Sequence, residues 1–216
     1  MIFDLDGTLT DSMPGIVGCL RKVLDARNMG DCGRPERFVG PPVDEWTAEL
    51  LPAGSEEERA ELARAYRACY DQEGWSNNSL FSGVLPMLNQ FRSAGFPLYV
   101  CTSKREHFAV RVLERYGLAG FFHAVYGDNA AYKSHSKADL LAKLLNDCAI
   151  AVENAWMIGD RIYDIQAAHQ NRVRCVAAAW GYGSAAEYAQ ADAIARTPGD
   201  LQSVVASEAD GQAARS

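Results

Sequence analysis

The sequence predicts an α/β fold, a doubly wound parallel sheet that carries an inserted α-helical domain. From about residue 82 onward, short apolar runs alternate with amphipathic stretches of helical length. The apolar runs have no alternating polar face, which is typical of parallel strands covered by helices on both sides. Residues 13–81 offer helical patterns and no convincing strand. We therefore assign residues 1–12 and 82–216 to the α/β core and residues 13–81 to a helical insertion.

The elements of the core follow in order along the chain. The apolar run at residues 1–3 is the end of a buried strand, and later runs predict strands at 97–101, 123–126, 155–158, 174–179 and, more weakly, 192–195. The stretches between them predict helices over about 84–94, 105–116, 136–148 and 161–170. Gly95 and Gly117 stand where two of these helices should end, as expected from the preference for glycine after a helix C-terminus.

The insertion predicts a small helical bundle. Ser55 and Glu58 form a capping-box pattern. One face of the helix that follows carries Leu62, Tyr66, Cys69 and Tyr70. Packing within the bundle explains the aromatic residues among them. The loop 38–42, Phe-Val-Gly-Pro-Pro, is stiff and precedes a second helical start near residue 44.

Composition limits the kinds of partner. The 216-residue chain has 21 Lys and Arg against 28 Asp and Glu, a formal net charge of −7. This mildly acidic balance argues against nucleic acid or an anionic membrane as the main partner. No apolar stretch is long enough to span a membrane and no secretion signal is evident, so we expect a cytoplasmic protein. We expect a monomer or a weak homodimer.

Six cysteines are scattered through the chain, without a C-x-x-C pair and without a histidine spacing typical of a zinc site. Most are predicted to be small buried side chains. Cys101, at the end of a predicted strand, is also assigned a packing role, because no histidine stands at a spacing that suggests an activating partner.

Two carboxylates follow the first strand. Asp4 and Asp6 are two positions apart, and residues i and i+2 of a strand point to the same side. Neighbouring like charges at the end of a buried strand are costly unless a cation or a shared proton compensates them. A bound divalent metal ion is the simplest explanation.

Polar side chains also follow the other predicted strands. Ligands of doubly wound sheets bind at the carboxyl ends of the strands, so these residues are expected to converge. They are Gly7 and Thr8 after the first strand, Thr102 and Ser103 after the second, Lys137 at the start of the helix after the third, and Asp160 and Asp164 after the fourth.

With these segments in this order, the chain resembles the haloacid dehalogenase-like (HAD) superfamily of phosphohydrolases. Segments 4–12, 101–104 and 159–164 are similar to the first, second and fourth motifs of that family, and Lys137 is similar to the third. The insertion, the loop 38–42 and the Gly-Tyr-Gly at 181–183 are similar to its phosphoglycolate phosphatase and 5′-nucleotidase-like branch. The resemblance implies a Rossmann-like core and a cap domain that closes over the site and sets specificity.

The expected chemistry is hydrolysis of a phosphate monoester. Asp4 is the predicted nucleophile, which forms an aspartyl-phosphate, and Asp6 is the predicted general acid and base. Thr102 supplies a hydroxyl and Lys137 a cation to the phosphoryl oxygens in the transition state.

The remaining predicted contacts concern the phosphate and the metal ion. Backbone amides are expected to bind the phosphate around residues 5–8, which include Gly7 and Thr8, and around Ser103. The resemblance implies Mg²⁺ as the cofactor, held by Asp4, by the backbone carbonyl of Asp6, and by Asp160, with Asp164 bound through water or orienting the other ligands. Ser103 and Glu106 also form an S-x-x-E pattern, which predicts a capped helix whose N-terminus favours an anion.

Other functions on this scaffold stay open. A sugar-phosphate mutase of the β-phosphoglucomutase type uses the same paired aspartates, and a Mg²⁺-dependent binding or regulatory module could keep the fold without turnover. A dehalogenase is disfavoured because that family lacks an acid two residues after the nucleophile, where this chain has Asp6.

Two departures from the family leave the substrate open. Arg105 stands where many close relatives have proline, and the stretch 130–136 lacks an acidic Asp-Gly turn with arginine. Lys133 could replace that missing cation, and the role of Lys104 is open. Phosphoglycolate and nucleoside 5′-monophosphates are therefore equal candidate substrates.

Overall fold

The computed structural model describes residues 1–30, 33–41, 43–132 and 136–213. The chain forms two compact units. The core unit joins Met1–Thr10 to Leu80–Ser216, and the helical unit is Asp11–Ser79. Two short paired strands, Thr10–Asp11 and Ser79–Leu80, lie where the chain passes from one unit to the other.

The described residues of the helical unit form three α-helices: α1 (Met13–Asp25), α2 (Val43–Leu50) and α3 (Glu56–Gln72). The predicted capping box begins α3. The Glu58 amide donates to the Ser55 hydroxyl at 3.2 Å, and the Ser55 amide donates to the Glu58 carboxylate at 2.7 Å. These reciprocal bonds confirm that prediction, because they satisfy amides at the start of the helix that have no partner within it.

Aromatic rings fill the interior of the helical unit. The Trp46 ring meets Phe38 and Tyr66 edge to face, with centroids 5.8 and 4.9 Å away, and Tyr66 stacks on Tyr70. All four residues are buried. Their packing confirms that these aromatics form a core; Pro42 of the predicted stiff loop lies outside the described residues.

Six parallel strands form the sheet of the core unit: β1 (Ile2–Phe3), β2 (Tyr99–Arg105), β3 (Ala124–Asp128), β4 (Trp156–Gly159), β5 (Arg174–Ala178) and β6 (Ala193–Ala195). Their order in the sheet is β3-β2-β1-β4-β5-β6, and every pairing is parallel. This order is that of a Rossmann-like sheet, so the predicted fold class is confirmed.

Helices of the core unit follow its strands: α4 (Val84–Ser93), α5 (Glu106–Arg115), α6 (Lys137–Asp147), α7 (Ile162–Gln170), α8 (Ala185–Tyr188) and α9 (Leu201–Ala213). Strand β1 is buried on both faces. Ile2 packs in a cluster with Leu144 of α6 and Ile165 of α7, whereas the Phe3 ring meets Phe91 of α4 edge to face. Consecutive strand residues point to opposite faces, so the helices cover both sides of the sheet.

Strand β1 lies at the point where the chain reverses its direction of travel across the sheet. Phe3 pairs with Val100 of β2 on one side and with Ile158 of β4 on the other. The chain runs outward from β1 through β2 to β3, and then returns to continue on the other side with β4. A crevice forms at the carboxyl ends of the strands at such a reversal, and ligands of doubly wound folds bind there.

The second strand is longer than predicted, and its predicted helix cap is wrong. β2 continues to Arg105, which pairs with Asp128 across a register shift that follows Cys101. α5 begins at Glu106 without a side-chain cap, so Ser103 does not cap it. The Glu106 carboxylate instead accepts hydrogen bonds from the Gly127 amide and from two other donors of the same segment, Asn129 and Tyr132.

No helix within the described ranges combines the length and the apolar character needed to cross a membrane.

Candidate active site

The turn after β1 places Asp4 at the carboxyl end of the sheet. The Asp4 amide donates to the Ile158 carbonyl at 2.8 Å, so the chain stays paired with β4 for one residue beyond the strand. The amides of Leu9 and Thr10 then both donate to the Leu5 carbonyl at 2.9 Å, which turns the chain back on itself. This tight turn holds the Asp4 carboxylate beside the end of β4.

Asp160 follows β4 directly and is held from two sides. The Thr8 hydroxyl donates to its Oδ1 at 3.2 Å, and the Tyr182 amide donates to its Oδ2 at 2.9 Å. Two glycines make room for the carboxylate. A Cβ at Gly7, whose φ is +89°, would lie 2.2 Å from Asp160 Oδ2, and a Cβ at Gly181 would lie 2.3 Å from Asp160 Cβ. Only glycine suits position 7, because this position combines a positive φ with a close approach to Asp160.

Lys137 and Asp164 complete the group. Lys137 is the first residue of α6, and its Nζ lies 2.9 Å from Asp4 Oδ1 and 2.5 Å from Asp164 Oδ1. The second oxygen of Asp164 accepts a hydrogen bond from the Arg161 amide at 3.0 Å. A Cβ at Gly159 would lie 2.1 Å from Asp164 Cγ, so a glycine at the end of β4 lets the carboxylate approach the sheet.

Three buried carboxylates therefore share one small volume. Oxygens of Asp4, Asp160 and Asp164 all lie within 4.8 Å of one another. Among the described residues, Lys137 is the cation that contacts two of them, so negative charge exceeds positive charge in this buried group. A set made only of oxygen ligands suits Mg²⁺, so these residues fit the predicted metal. Asp164, predicted to act through water or from behind the ligands, belongs to the same compact group.

Burial controls the ionisation of the group. Burial raises the pKa of Asp4 to about 6, although Lys137 acts in the opposite direction. The pKa of Asp160 stands well above its ordinary value, because of burial first and then the charges of Asp164 and Asp4. Burial lowers the pKa of Lys137, but the two carboxylates outweigh burial and the pKa is raised. The site thus holds a cation firmly and favours the arrival of more positive charge.

Asp6 lies next to this group, but its carboxylate pairs with a different lysine. Both oxygens of its carboxylate accept hydrogen bonds from Lys104 Nζ, at 2.9 and 2.7 Å. The Lys104 side chain is only 3% exposed and that of Asp6 is 15% exposed. The Asp6 charge still contributes to the raised pKa of Asp4. The two paired aspartates therefore lie close together, but they contact different lysines.

The structure separates the two polar residues predicted after the second strand. Thr102 is buried, and its hydroxyl accepts a hydrogen bond from the Lys104 amide at 3.3 Å. Ser103 is exposed, in the irregular part of β2 where the register shifts. Their roles toward a phosphate stay predictions. Lys133, the proposed replacement cation, lies outside the described residues.

Sequence reasoning missed three supports of the site. Trp180 donates its indole N–H to the Thr8 carbonyl at 2.8 Å, and Tyr182 binds Asp160 through its amide. Both follow β5, and the Gly-Tyr-Gly at 181–183 was the available signal. The third is the ion pair of Lys104 with Asp6, which joins residues 98 positions apart and leaves no local pattern.

Comparison with known proteins agrees with this geometry. Residues 1–178 match the family model of haloacid dehalogenase-like hydrolases. The chain is similar to the tyrosine-protein kinase PtkA of Mycobacterium tuberculosis, with 39% identity over 187 residues that cover 86% of this chain. The matched region spans 63% of PtkA, less than two thirds of that relative.

Two further relatives carry names of phosphate-ester hydrolases. The 5′-nucleotidase of Pseudomonas aeruginosa is 34% identical over 85% of this chain and 84% of that protein. The phosphoglycolate phosphatase of Rhodospirillum rubrum is 32% identical over 84% of this chain and 80% of that protein.

Solved structures resemble the whole fold. The haloacid dehalogenase-like hydrolase SP0104 from Streptococcus pneumoniae has a TM-score of 0.85 at 28% identity, over 94% of this chain and 95% of that chain. A predicted phosphatase from Clostridium acetobutylicum has a TM-score of 0.85 at 31% identity, over 93% and 94%.

Proposed function

The chain belongs to the haloacid dehalogenase-like hydrolase family, and from that premise we propose that it is a Mg²⁺-dependent phosphatase of small phosphate monoesters. Reaction through an aspartyl-phosphate on Asp4 is the proposed route. The observation that carries this proposal is the contact of one buried ammonium, Lys137, with both Asp4 and Asp164 at the carboxyl end of the sheet. That arrangement supports attack on a dianion, because it supplies positive charge beside the nucleophile.

The proposed reaction has two displacements. The Asp4 carboxylate attacks phosphorus, the phosphorus–oxygen bond of the ester breaks, and Asp6 protonates the departing oxygen. Water then attacks the phosphorus on Asp4, and Asp6 accepts its proton. The bond between phosphorus and the Asp4 oxygen breaks, which regenerates the carboxylate and releases inorganic phosphate. In the resting site Lys104 contacts both oxygens of Asp6, so Asp6 has to exchange this contact for a proton before the first displacement.

Asp4, Asp160 and the backbone carbonyl of Asp6 would hold Mg²⁺, which would neutralise charge on the phosphate. Asp164 orients these ligands in this proposal, and Lys137 binds the phosphoryl oxygens together with Thr102 and the amides near Gly7 and Ser103. The similar 5′-nucleotidase and phosphoglycolate phosphatase support small phosphorylated metabolites as substrates. Within that class, nucleoside 5′-monophosphates and phosphoglycolate are the two candidates.

The helical unit is the proposed cap, which sets specificity and excludes water on closing. Its support is that the insertion is compact by itself and is joined to the core unit through two strands. We further propose that the protein acts in the cytoplasm as a monomer or weak homodimer. Fractionation of the source cells and light scattering of the purified chain test these two statements.

The test of the function is phosphate release from a panel of small phosphate esters, with Mg²⁺ and with a chelator. We expect metal-dependent release from the native chain and at least about a 10³-fold loss in Asp4→Asn, since the nucleophile is removed. Asp128→Asn is the matched control, because Asp128 is exposed at the end of β3. Equal release from both variants would refute Asp4 as the nucleophile.

Transfer to a protein tyrosine is the second candidate function. The 39% identity to the tyrosine-protein kinase PtkA favours it, and an aspartyl-phosphate can pass its phosphoryl group to a hydroxyl as well as to water. Incubation with labelled ATP and a tyrosine peptide separates the two functions. Labelled phosphotyrosine supports the kinase, whereas free phosphate alone supports the phosphatase.

The same panel tests the remaining alternatives. A sugar-phosphate mutase would move the phosphate to another hydroxyl of the same sugar and release little phosphate. A binding or regulatory module would retain Mg²⁺ and yield no product at all.

A further inference from the structure

The helical unit holds two cysteines whose sulfur atoms lie closer together than ordinary van der Waals contact. Cys19 of α1 and Cys69 of α3 are 50 positions apart, yet their Sγ atoms lie 2.7 Å from each other. Both are free thiols. A disulfide bond measures about 2.05 Å, so the two sulfurs need to approach by about 0.65 Å to bond.

Two glycines explain why α1 comes so close to the end of α3. A Cβ at Gly15 would lie 2.1 Å from the Gly74 carbonyl oxygen, and a Cβ at Gly74 would lie 2.8 Å from Cys19 Sγ. Backbone therefore packs directly against backbone beside the thiols. This close backbone contact positions the pair, so the proximity of the two thiols follows from how the helices pack.

The surroundings give the two thiols different access. Cys19 is buried at 2% exposure, whereas Cys69 is partly exposed to solvent. The Cys69 thiol donates a hydrogen bond to the Glu73 carboxylate at 3.3 Å, and Glu73 is ion-paired with Lys22 at 2.5 Å. A reagent in solution thus reaches Cys69 first, and Cys19 stands behind it.

The same geometry disfavours a metal ion at this pair. Glu73 could complete a three-ligand group with the two cysteines. Two thiolates on one tetrahedral zinc ion, each with a bond of about 2.3 Å, lie about 3.8 Å apart. The observed separation of 2.7 Å is much shorter than that, so a covalent bond suits the pair better.

We propose that Cys19 and Cys69 form a redox modification site that closes to a disulfide when a low-molecular-weight disulfide such as oxidised glutathione is the oxidant. The Cys69 thiolate attacks one glutathione sulfur and releases one glutathione. Cys19 then attacks Cys69 and releases the second. Two protein thiols lose two electrons and two protons, and one oxidised glutathione becomes two reduced molecules. The site is independent of the proposed phosphatase activity.

The rate of closure follows from burial. Burial raises the pKa of both thiols, that of Cys19 to about 12. Little thiolate is present at neutral pH, so the exchange is slow and the pair is unlike the reactive centre of an oxidoreductase. The bond would tie the first helix of the helical unit to the end of its last helix.

The experiment uses the full chain, incubated with oxidised glutathione at mildly alkaline pH, blocked with an alkylating reagent and digested without reduction. We expect one cross-linked peptide pair that contains Cys19 and Cys69, which dithiothreitol separates. Cys69→Ala should lose the cross-link. Cys148→Ala, which removes a partly exposed thiol of the core unit, should keep it.

A second variant and a second measurement keep the test decisive. Cys19→Ala should stop the reaction at a glutathione adduct on Cys69, since the resolving thiol is gone. Oxidation of the native chain should raise its thermal unfolding midpoint, because a bond that fits the folded helices constrains the unfolded chain. A persistent glutathione adduct on Cys69 of the native chain, a bond from Cys69 to any other cysteine, or an equal or lower midpoint would overturn the proposal.

Discussion

The two units of this chain differ in where their charged side chains lie. The core unit buries the carboxylates of Asp4, Asp160 and Asp164 and gives two of them a common ammonium from Lys137. In the described part of the helical unit, the ion pairs lie at the surface; in the pair of Lys22 with Glu73, the side chains are 62% and 53% exposed. Among the described residues, every buried charged side chain lies in the core unit.

This difference indicates where chemistry and where stability reside. Buried charge costs free energy, so a fold retains it chiefly where a site requires it. The helical unit has a core of packed aromatic rings instead, which stabilises its shape without carrying reactive groups. The comparison therefore predicts that charge substitutions matter in the core unit and that volume substitutions matter in the helical unit.

Removal of Lys137 should have the largest effect. In Lys137→Ala we expect phosphate release to fall by about 10³-fold, since the cation beside Asp4 is lost. Without added Mg²⁺, the free energy of unfolding should fall by about 3 to 5 kcal/mol, because carboxylates stay buried without their partner. Urea unfolding and phosphate release measure the two effects.

Lys22→Ala is the matched control for that change in the helical unit. Its ion pair is exposed, so its unfolding midpoint and its phosphate release should equal those of the native chain. A loss as large as that of Lys137→Ala would break the comparison between the units.

Truncation of Trp46 should be the next largest effect. Trp46 is 3% exposed and contacts two other rings, so Trp46→Ala should lower the free energy of unfolding by about 3 to 5 kcal/mol. Urea unfolding followed by circular dichroism measures this. Leu85→Ala, at a side chain 44% exposed on α4, should change stability far less. Similar losses in both variants would mean that ring packing does not stabilise the helical unit.

Mg²⁺ should stabilise the chain through the core unit. At about 100 times its dissociation constant, a bound ion adds about 2.7 kcal/mol to the free energy of unfolding. Thermal unfolding with and without a chelator measures the shift. Asp160→Asn should lose it, whereas Asp128→Asn, at an exposed position, should keep it. An undiminished shift in Asp160→Asn would place the ion elsewhere on this acidic protein.

Two glycines of α1 should give the smallest changes in stability, and they test how closely this helix packs in the helical unit. A Cβ at Gly18 meets nothing within 4 Å, so Gly18→Ala should raise the free energy of unfolding by about 0.5 to 1 kcal/mol. Gly15→Ala, on the same helix, should destabilise, because its Cβ would lie 2.1 Å from a backbone oxygen. Thermal unfolding of both variants tests this, and a gain in Gly15→Ala would contradict the close packing of α1.

Local patterns predicted most elements to within two residues. The runs predicted over 155–158 and 161–170 are the strand Trp156–Gly159 and the helix Ile162–Gln170. The end of β2 was wrong by four residues, because its continuation to Arg105 depends on pairing with Asp128. Such pairing depends on the neighbouring strand β3, so the local sequence of β2 does not predict it.

The candidate site was predictable to the extent that it follows strand ends. Asp4, Asp160, Asp164 and Lys137 were expected to converge, and the structure brings them together. The contact of Lys104 with Asp6 was not predictable, since it depends on the register shift within β2.

By itself, the sequence determined the fold class, the order of the motifs and the residues that a family resemblance can identify. These follow from hydrophobic periodicity and from the rule that strand ends converge, and both are local or topological properties. Only the tertiary structure decided which cation each aspartate contacts and which thiols meet. Those partners are set by side-chain packing between segments far apart in the chain, where a shift of one residue or one added Cβ changes the contact.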